Sequence, residues 1–184
     1  IMSSNEYLTR VNLMDAANPE TDTPINLGKH VIVVGGGNTA MDSCRTAKRL
    51  GADVTLVYRR SEQEMPARLE EVKHAKEEGI NFLCLHNPIE YKADDKGAVS
   101  QAILQVMELG EPDASGRRSP VPVEGKTVTL DVDQVIVAVG VSPNPLVPKS
   151  IDGLELGRKN TIAVNEDMQS SRPSVYAGGD IVRG

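Results

Sequence analysis

The chain has 184 residues, a length that fits one domain, or one domain with part of a second. Charged residues make up 25% and hydrophobic ones 39%, the balance of a folded globular protein and not of a disordered one. The net charge of −6 argues against a general affinity for nucleic-acid backbone, so any anion site has to be local.

No apolar run reaches the length of a membrane span, and the N-terminus lacks a signal-peptide pattern. Cys44 and Cys84 are far apart and form no Cys-x-x-Cys pair. Within this chain the prediction is therefore no metal site, no iron–sulfur cluster and no thioredoxin-type pair, and a cytoplasmic location. Trp is absent and Phe occurs once, so the core has to be aliphatic, which suits a Val-rich parallel sheet covered by helices. Both ends read as cut: the chain opens on Ile1-Met2 and stops just after a Gly-Gly-Asp turn, the expectation for part of a longer protein.

Residues 1–27 read as a lead-in. Ser3 and Glu6 have capping-box spacing and predict a helix over Asn5–Asp15, and Pro19 and Pro24 then mark a linker. His30–Val34 is a short apolar strand that runs into Gly35-Gly36-Gly37-Asn38-Thr39-Ala40. Ala40, Cys44 and Ala47 share one face of the helix that follows, and Gly51 stops it. Val54–Tyr58 completes a β-α-β unit. A third helix is predicted from Pro66, with Leu69, Val72 and Ala75 as its apolar stripe, Glu70 and Lys73 paired on its surface and Gly79 as its end; Ile80–Leu85 is the next strand. After Pro88 the rhythm changes to an antiparallel excursion: strands over Ile89–Lys92, Val99–Leu109 and Val128–Val132, with a polar loop over Glu111–Pro122. Gln134–Gly140 returns as a buried strand. Residues 28–140 thus read as an α/β domain with a Rossmann-like parallel sheet, and 141–184 as a separate unit with possible strands near Thr161–Val164 and Val175–Ala177.

Gly35-x-Gly37-x-x-Ala40 matches the dinucleotide fingerprint G-x-G-x-x-G/A in its proper context of strand, turn and helix. The turn needs glycine's backbone freedom, a bare Gly37 lets a pyrophosphate approach, and the helix N-terminus offers amides and partial positive charge. At the tip of the second strand, where an Asp or Glu would select NAD, the chain has Arg59 and Arg60. Two guanidiniums at this position favour the 2′-phosphate of NADP(H), although an arbitrary Arg-Arg pair is more often a solvated loop. Residues 45–68 carry six basic side chains against three acidic ones, a positive island in an acidic chain. Arg68 is a further candidate, equally readable as a first-turn helix residue. Ala138-Val139-Gly140 ends a strand that could lie beside the first and approach the nicotinamide half, or simply turn. No catalytic acid or base and no metal ligands are predicted.

Val31–Asp42, followed by Tyr58-Arg59-Arg60-Ser61 and Glu64-Met65-Pro66-Ala67, strongly resembles the NADPH-binding domain of the glutamate synthase small (beta) subunit family. That family is a branch of the two-dinucleotide-binding-domain, pyridine nucleotide-disulfide oxidoreductase-like flavoproteins. Related reductase portions of dihydropyrimidine dehydrogenase and of NADH-dependent ferredoxin:NADP oxidoreductase are similar here. The resemblance implies hydride transfer from NADPH to FAD, with electrons passing on to a glutamate synthase large subunit or another accepting subunit. It implies that Gly179 and Asp180 belong to a returning FAD-domain segment and that FAD is bound by the full-length protein and not by this stretch alone, which would be inactive by itself. Iron–sulfur clusters would lie outside this chain. A thioredoxin-reductase-like enzyme is a competing reading, opposed by the missing Cys-x-x-Cys; a non-catalytic nucleotide-binding module is another.

Overall fold

The computed structural model describes residues 1–114, 116–140 and 142–183; Ser115 in the predicted polar loop, and Val141 and Gly184 at the ends of the predicted last unit, lie outside the described residues. The chain divides into two compact units, Ile1–Val139 and Gly140–Gly184.

In the first unit, five parallel strands form a sheet in the order β1-β8-β2-β3-β4. They are β1 (Met2–Ser3), β2 (His30–Val34), β3 (Asp53–Tyr58), β4 (Asn81–Cys84) and β8 (Gln134–Val137). A second sheet is antiparallel, with β5 (His86–Ala93), β6 (Val99–Pro112) and β7 (Arg118–Asp131) in that order. The helices are α1 (Ser4–Leu8), α2 (Asn38–Arg49) and α3 (Leu69–Glu77).

Alternation along β2 explains the layering. Val31 and Val33 face a cluster built from Tyr7, Ala40, Met41, Cys44, Ala47 and Val72, so α1, α2 and α3 cover this side. Ile32 and Val34 face Ala102, Leu104, Val132 and Val135, so the antiparallel sheet covers the other. A strand apolar at every position is what burial on both faces requires. Each buried Val, Ile, Leu or Met among them contributes about 1.5–3 kcal/mol by leaving water. β2 pairs with β3 on one side (Val34 with Val57) and β8 on the other (Val34 with Val137). The chain winds outward from β2 in opposite directions, which puts a topological switch point at its carboxyl end.

Several sequence expectations need correction. The first helix begins at Ser4, continues as a wider π-type turn over Thr9–Leu13, and is preceded by the unforeseen β1. Only half of the capping box forms: Ser3 Oγ accepts from the Glu6 amide, while the Glu6 carboxylate turns to Arg10. The third helix begins at Leu69, not Pro66, and Leu69 is 84% exposed, so the apolar stripe is Val72 and Ala75 alone. The surface pair on it is Lys73 with Glu77. Of the predicted Glu111–Pro122 loop, Glu111 and Pro112 instead end β6 and Arg118–Pro122 begin β7, in the distal part of a long ribbon. Its strands have no core to face, so they carry no apolar alternation, and Pro120 and Pro122 are tolerated because β7 is an edge.

The second unit contains α4 (Leu146–Ser150) and α5 (Asp180–Arg183). The predicted strands near Thr161 and Val175 are only isolated bridges, Val164 with Ser170 and Gln169 with Tyr176 among them.

Candidate functional site

The glycine loop spans the carboxyl end of β2 and the start of α2, and its three glycines have three different reasons to be glycine. Gly35 has φ +143°, and a side chain there would run into the Ala138 carbonyl oxygen. Its amide donates to the Val57 carbonyl, and Ala138 donates to that of Val34, so the loop is stitched to the ends of both neighbouring strands. At Gly36 a side chain would run into the Tyr58 ring at 2.6 Å, a constraint the sequence alone did not reveal. Gly37 is different: a side chain there would touch nothing within 4 Å. Neither packing nor positive φ demands glycine at this position (φ −92°). It opens the mouth of α2, where the first amides lack intrahelical acceptors and no capping side chain stands over them. Ala40 is fully buried against the sheet, as the third position of the fingerprint requires, while Asn38 and Thr39 are exposed beside the opening.

The segment after β3 is folded back onto this loop. Ser61 and Glu64 form a capping box around a single 3₁₀ turn, Glu62–Glu64. Tyr58 Oη donates to the Glu64 carbonyl at 2.9 Å. The Ala67 amide donates to Gly36 O at 3.1 Å and the Arg68 amide to Asn38 Oδ1 at 2.9 Å. Because an N–H can only donate, the Asn38 amide is oriented with its oxygen toward Arg68. Arg68 is thereby held at the N-cap of α3, exposed, next to the glycine loop.

Arg59 is exposed, but Arg60 is only 7% exposed and its Nε is buried without a hydrogen-bond partner. Among the described residues, no hydrogen bond or salt bridge engages the guanidinium of Arg59, Arg60 or Arg68. The other arginines of the positive island are neutralised. Arg45 reaches Glu78 and Glu71 at 2.8 Å each, and Arg49 reaches Glu78 at 2.7 Å. Hydrogen bonds from Arg49 and Arg45 hold the Glu78 carboxyl below its ordinary range. Burial pushes the Tyr58 phenol upward against the pull of Arg60 and Arg59, which keeps it a donor at neutral pH. Arg117, at the tip of the β6–β7 ribbon, exerts a weaker pull of the same sign on Tyr58. That non-local approach left no signal in the sequence.

Ala138 packs against the core at the end of β8, and Val139 is 70% exposed. Gly140 belongs to the second unit, with φ +101°. Gly179 also lies in the second unit, at φ +74°, and accepts from the Val182 and Arg183 amides; Asp180 is exposed in the first turn of α5. Cys44 is buried, and that burial raises its thiol pKa, so it is an unreactive core group. Among the described residues, no helix is long and apolar enough to cross a membrane.

Residues 4–184 match the family model described as pyridine nucleotide-disulphide oxidoreductase. The NADP(+)-dependent formate dehydrogenase subunit beta of Moorella thermoacetica is 47% identical over 160 residues, 85% of this chain and 22% of that protein. The glutamate synthase [NADPH] small chain of Escherichia coli K12 is 42% identical over 162 residues, 85% of this chain and 34% of that one. In fold, the chain is similar over its whole length to 53% of Mycobacterium tuberculosis FprA, solved in complex with NADPH, with a TM-score of 0.75 at 19% identity. The chain thus spans about a quarter to a third of the length of these curated relatives.

Proposed function

We propose, given that this chain belongs to the pyridine nucleotide-disulphide oxidoreductase family, that its first unit binds NADP(H) for a flavin-dependent oxidoreductase, most specifically of the glutamate synthase small-subunit type. The residues fit such a cofactor. Gly37 and the first amides of α2 would take the pyrophosphate, with Asn38 and Thr39 at the rim. Arg59 and Arg60 would take the 2′-phosphate, with Arg68 flanking it. Ala138, Val139 and Gly140 would border the nicotinamide half.

One observation carries the reading: Arg60 is buried beside the fingerprint with an unpartnered Nε. A buried N–H donor left without a partner costs about 1–3 kcal/mol, and an anion that arrives beside the guanidinium offsets that cost. Relatives named for NADPH or NADP(+) support the same choice of cofactor.

When bound, the nicotinamide supplies a hydride to FAD held by the longer protein, with Gly179 and Asp180 in the FAD-domain segment. The chain's own residues bind and orient; none is required to hold or move a proton. A large subunit of glutamate synthase, or an equivalent accepting subunit, receives the electrons. A cytoplasmic setting suits two unpaired thiols.

Calorimetric titration with NADPH and NADH tests the cofactor reading. We expect NADPH to bind at least tenfold more tightly, and Arg59→Ala with Arg60→Ala to erase the difference. Equal affinities in the unmodified protein contradict it.

A further inference from the structure

We infer that Tyr58 is a positioning residue for 2′-phosphate selectivity, acting through the arginine loop that it closes and the glycine loop that it supports. The inference rests on the NADP(H) reading above and deepens it.

Tyr58 is the last residue of β3, immediately before Arg59 and Arg60. Its ring lies so close under the glycine loop that only glycine fits at position 36. Its hydroxyl reaches past both arginines to the Glu64 carbonyl, closing the segment 58–64 into a ring. Other bonds also pin that segment: the Leu85 amide to Arg60 O at 3.0 Å, the Ser61–Glu64 capping box and the Lys76 ammonium to the Glu62 carboxylate at 2.6 Å, while just beyond it the Ala67 amide donates to Gly36 O. These run through backbone groups, a local cap or an exposed ion pair. The Tyr58 side chain touches both loops at once, its ring against Gly36 and its hydroxyl on the Glu64 carbonyl.

A flexible arginine loop would have to be ordered when the phosphate binds, and that entropy would be subtracted from affinity. Tyr58 does this ordering beforehand. The spacing between the two anion-binding loops is then fixed by a rigid ring with only two torsions. NAD(H), which lacks the 2′-phosphate, makes no use of the arginine loop and gains nothing from the hydroxyl.

The test is Tyr58→Phe, which keeps the ring under Gly36 and removes only the hydroxyl. Affinities for NADP+ and NAD+ are measured by calorimetry, and amide hydrogen exchange is followed by mass spectrometry. We expect the NADP+ dissociation constant to rise about five- to tenfold, the loss of one preorganising hydrogen bond, with that of NAD+ unchanged. Exchange should quicken over 59–64 and stay constant over 33–36. An unchanged NADP+/NAD+ ratio, or an equal loss for both cofactors, overturns the inference and leaves Tyr58 as a packing residue. Arg59→Ala and Arg60→Ala, measured in parallel, separate the two levels. If they collapse the ratio while Tyr58→Phe does not, the cofactor reading stands and the Tyr58 role falls. If they leave the ratio untouched, both fall.

Discussion

Two groups of arginines lie within a few dozen residues of each other and are treated in opposite ways. Arg45 and Arg49, on the flank of α2, meet the carboxylates of Glu71 and Glu78. Arg59, Arg60 and Arg68, at the carboxyl end of β3 and its return, meet none among the described residues, and Arg60 is nevertheless buried. The first group joins two helices. The second, on the reading proposed above, is charge prepared for a bound anion. Net charge or a local count of basic residues cannot distinguish the two; only the partners do.

The glycine loop repeats this contrast and gives the largest predicted effect. Gly35→Ala forces a side chain into a carbonyl at positive φ and should destabilise the fold by about 3 kcal/mol or more, read as a drop in Tm. Gly37→Ala should change stability by about 1 kcal/mol at most while sharply weakening nucleotide binding, since its side chain enters only open space. A Gly37→Ala protein that is unstable yet binds normally would break the distinction.

Removing charge separates the arginine groups by sign. Arg60→Met should leave the unliganded protein as stable or more stable, by about 1–2 kcal/mol in denaturant unfolding, and lower NADP+ affinity. Arg45→Met should lower stability by about 1 kcal/mol, because Glu71 loses its partner, and leave NADP+ affinity unchanged. If both substitutions destabilise equally, Arg60 has a structural partner and the comparison collapses.

The smallest effect is one of pH. The Glu78 carboxyl is held low by Arg49 and Arg45. Its contribution is therefore fully present above the ordinary carboxylate pKa and fades as pH falls through the lowered one. Glu78→Gln should cost about 0.5–1 kcal/mol at pH 7 and progressively less as pH falls below the ordinary carboxylate range, measured by unfolding across acid and neutral pH. A constant difference would mean that packing, not charge, is what Glu78 supplies.

The parallel sheet was legible because Val31–Val34 of β2 and Val135–Val137 of β8 are unbroken apolar runs covered on both faces, and because Gly35, Gly37 and Ala40 sit where a strand becomes a helix. The distal β6–β7 ribbon was not, since neither strand there faces a core. The return from β3 misled for another reason. Pro66 looked like a helix start, but the Ala67–Gly36 and Arg68–Asn38 bonds keep the chain extended until Leu69. Those ties cross about thirty residues and have no local pattern. The same is true of the Tyr58–Gly36 contact, so the sequence suggested which residues meet a cofactor but not what holds them in place.

The most direct test of the central claim is the ionisation of the cofactor itself. A phosphate monoester loses its second proton near pH 6. Two guanidiniums stabilise the dianion, so phosphorus-31 resonance of NADP+ bound to this protein should show the 2′-phosphate titrating at least about one unit lower than in free NADP+, with the shift abolished by Arg59→Ala and Arg60→Ala. A bound 2′-phosphate that titrates as it does in water would contradict the account.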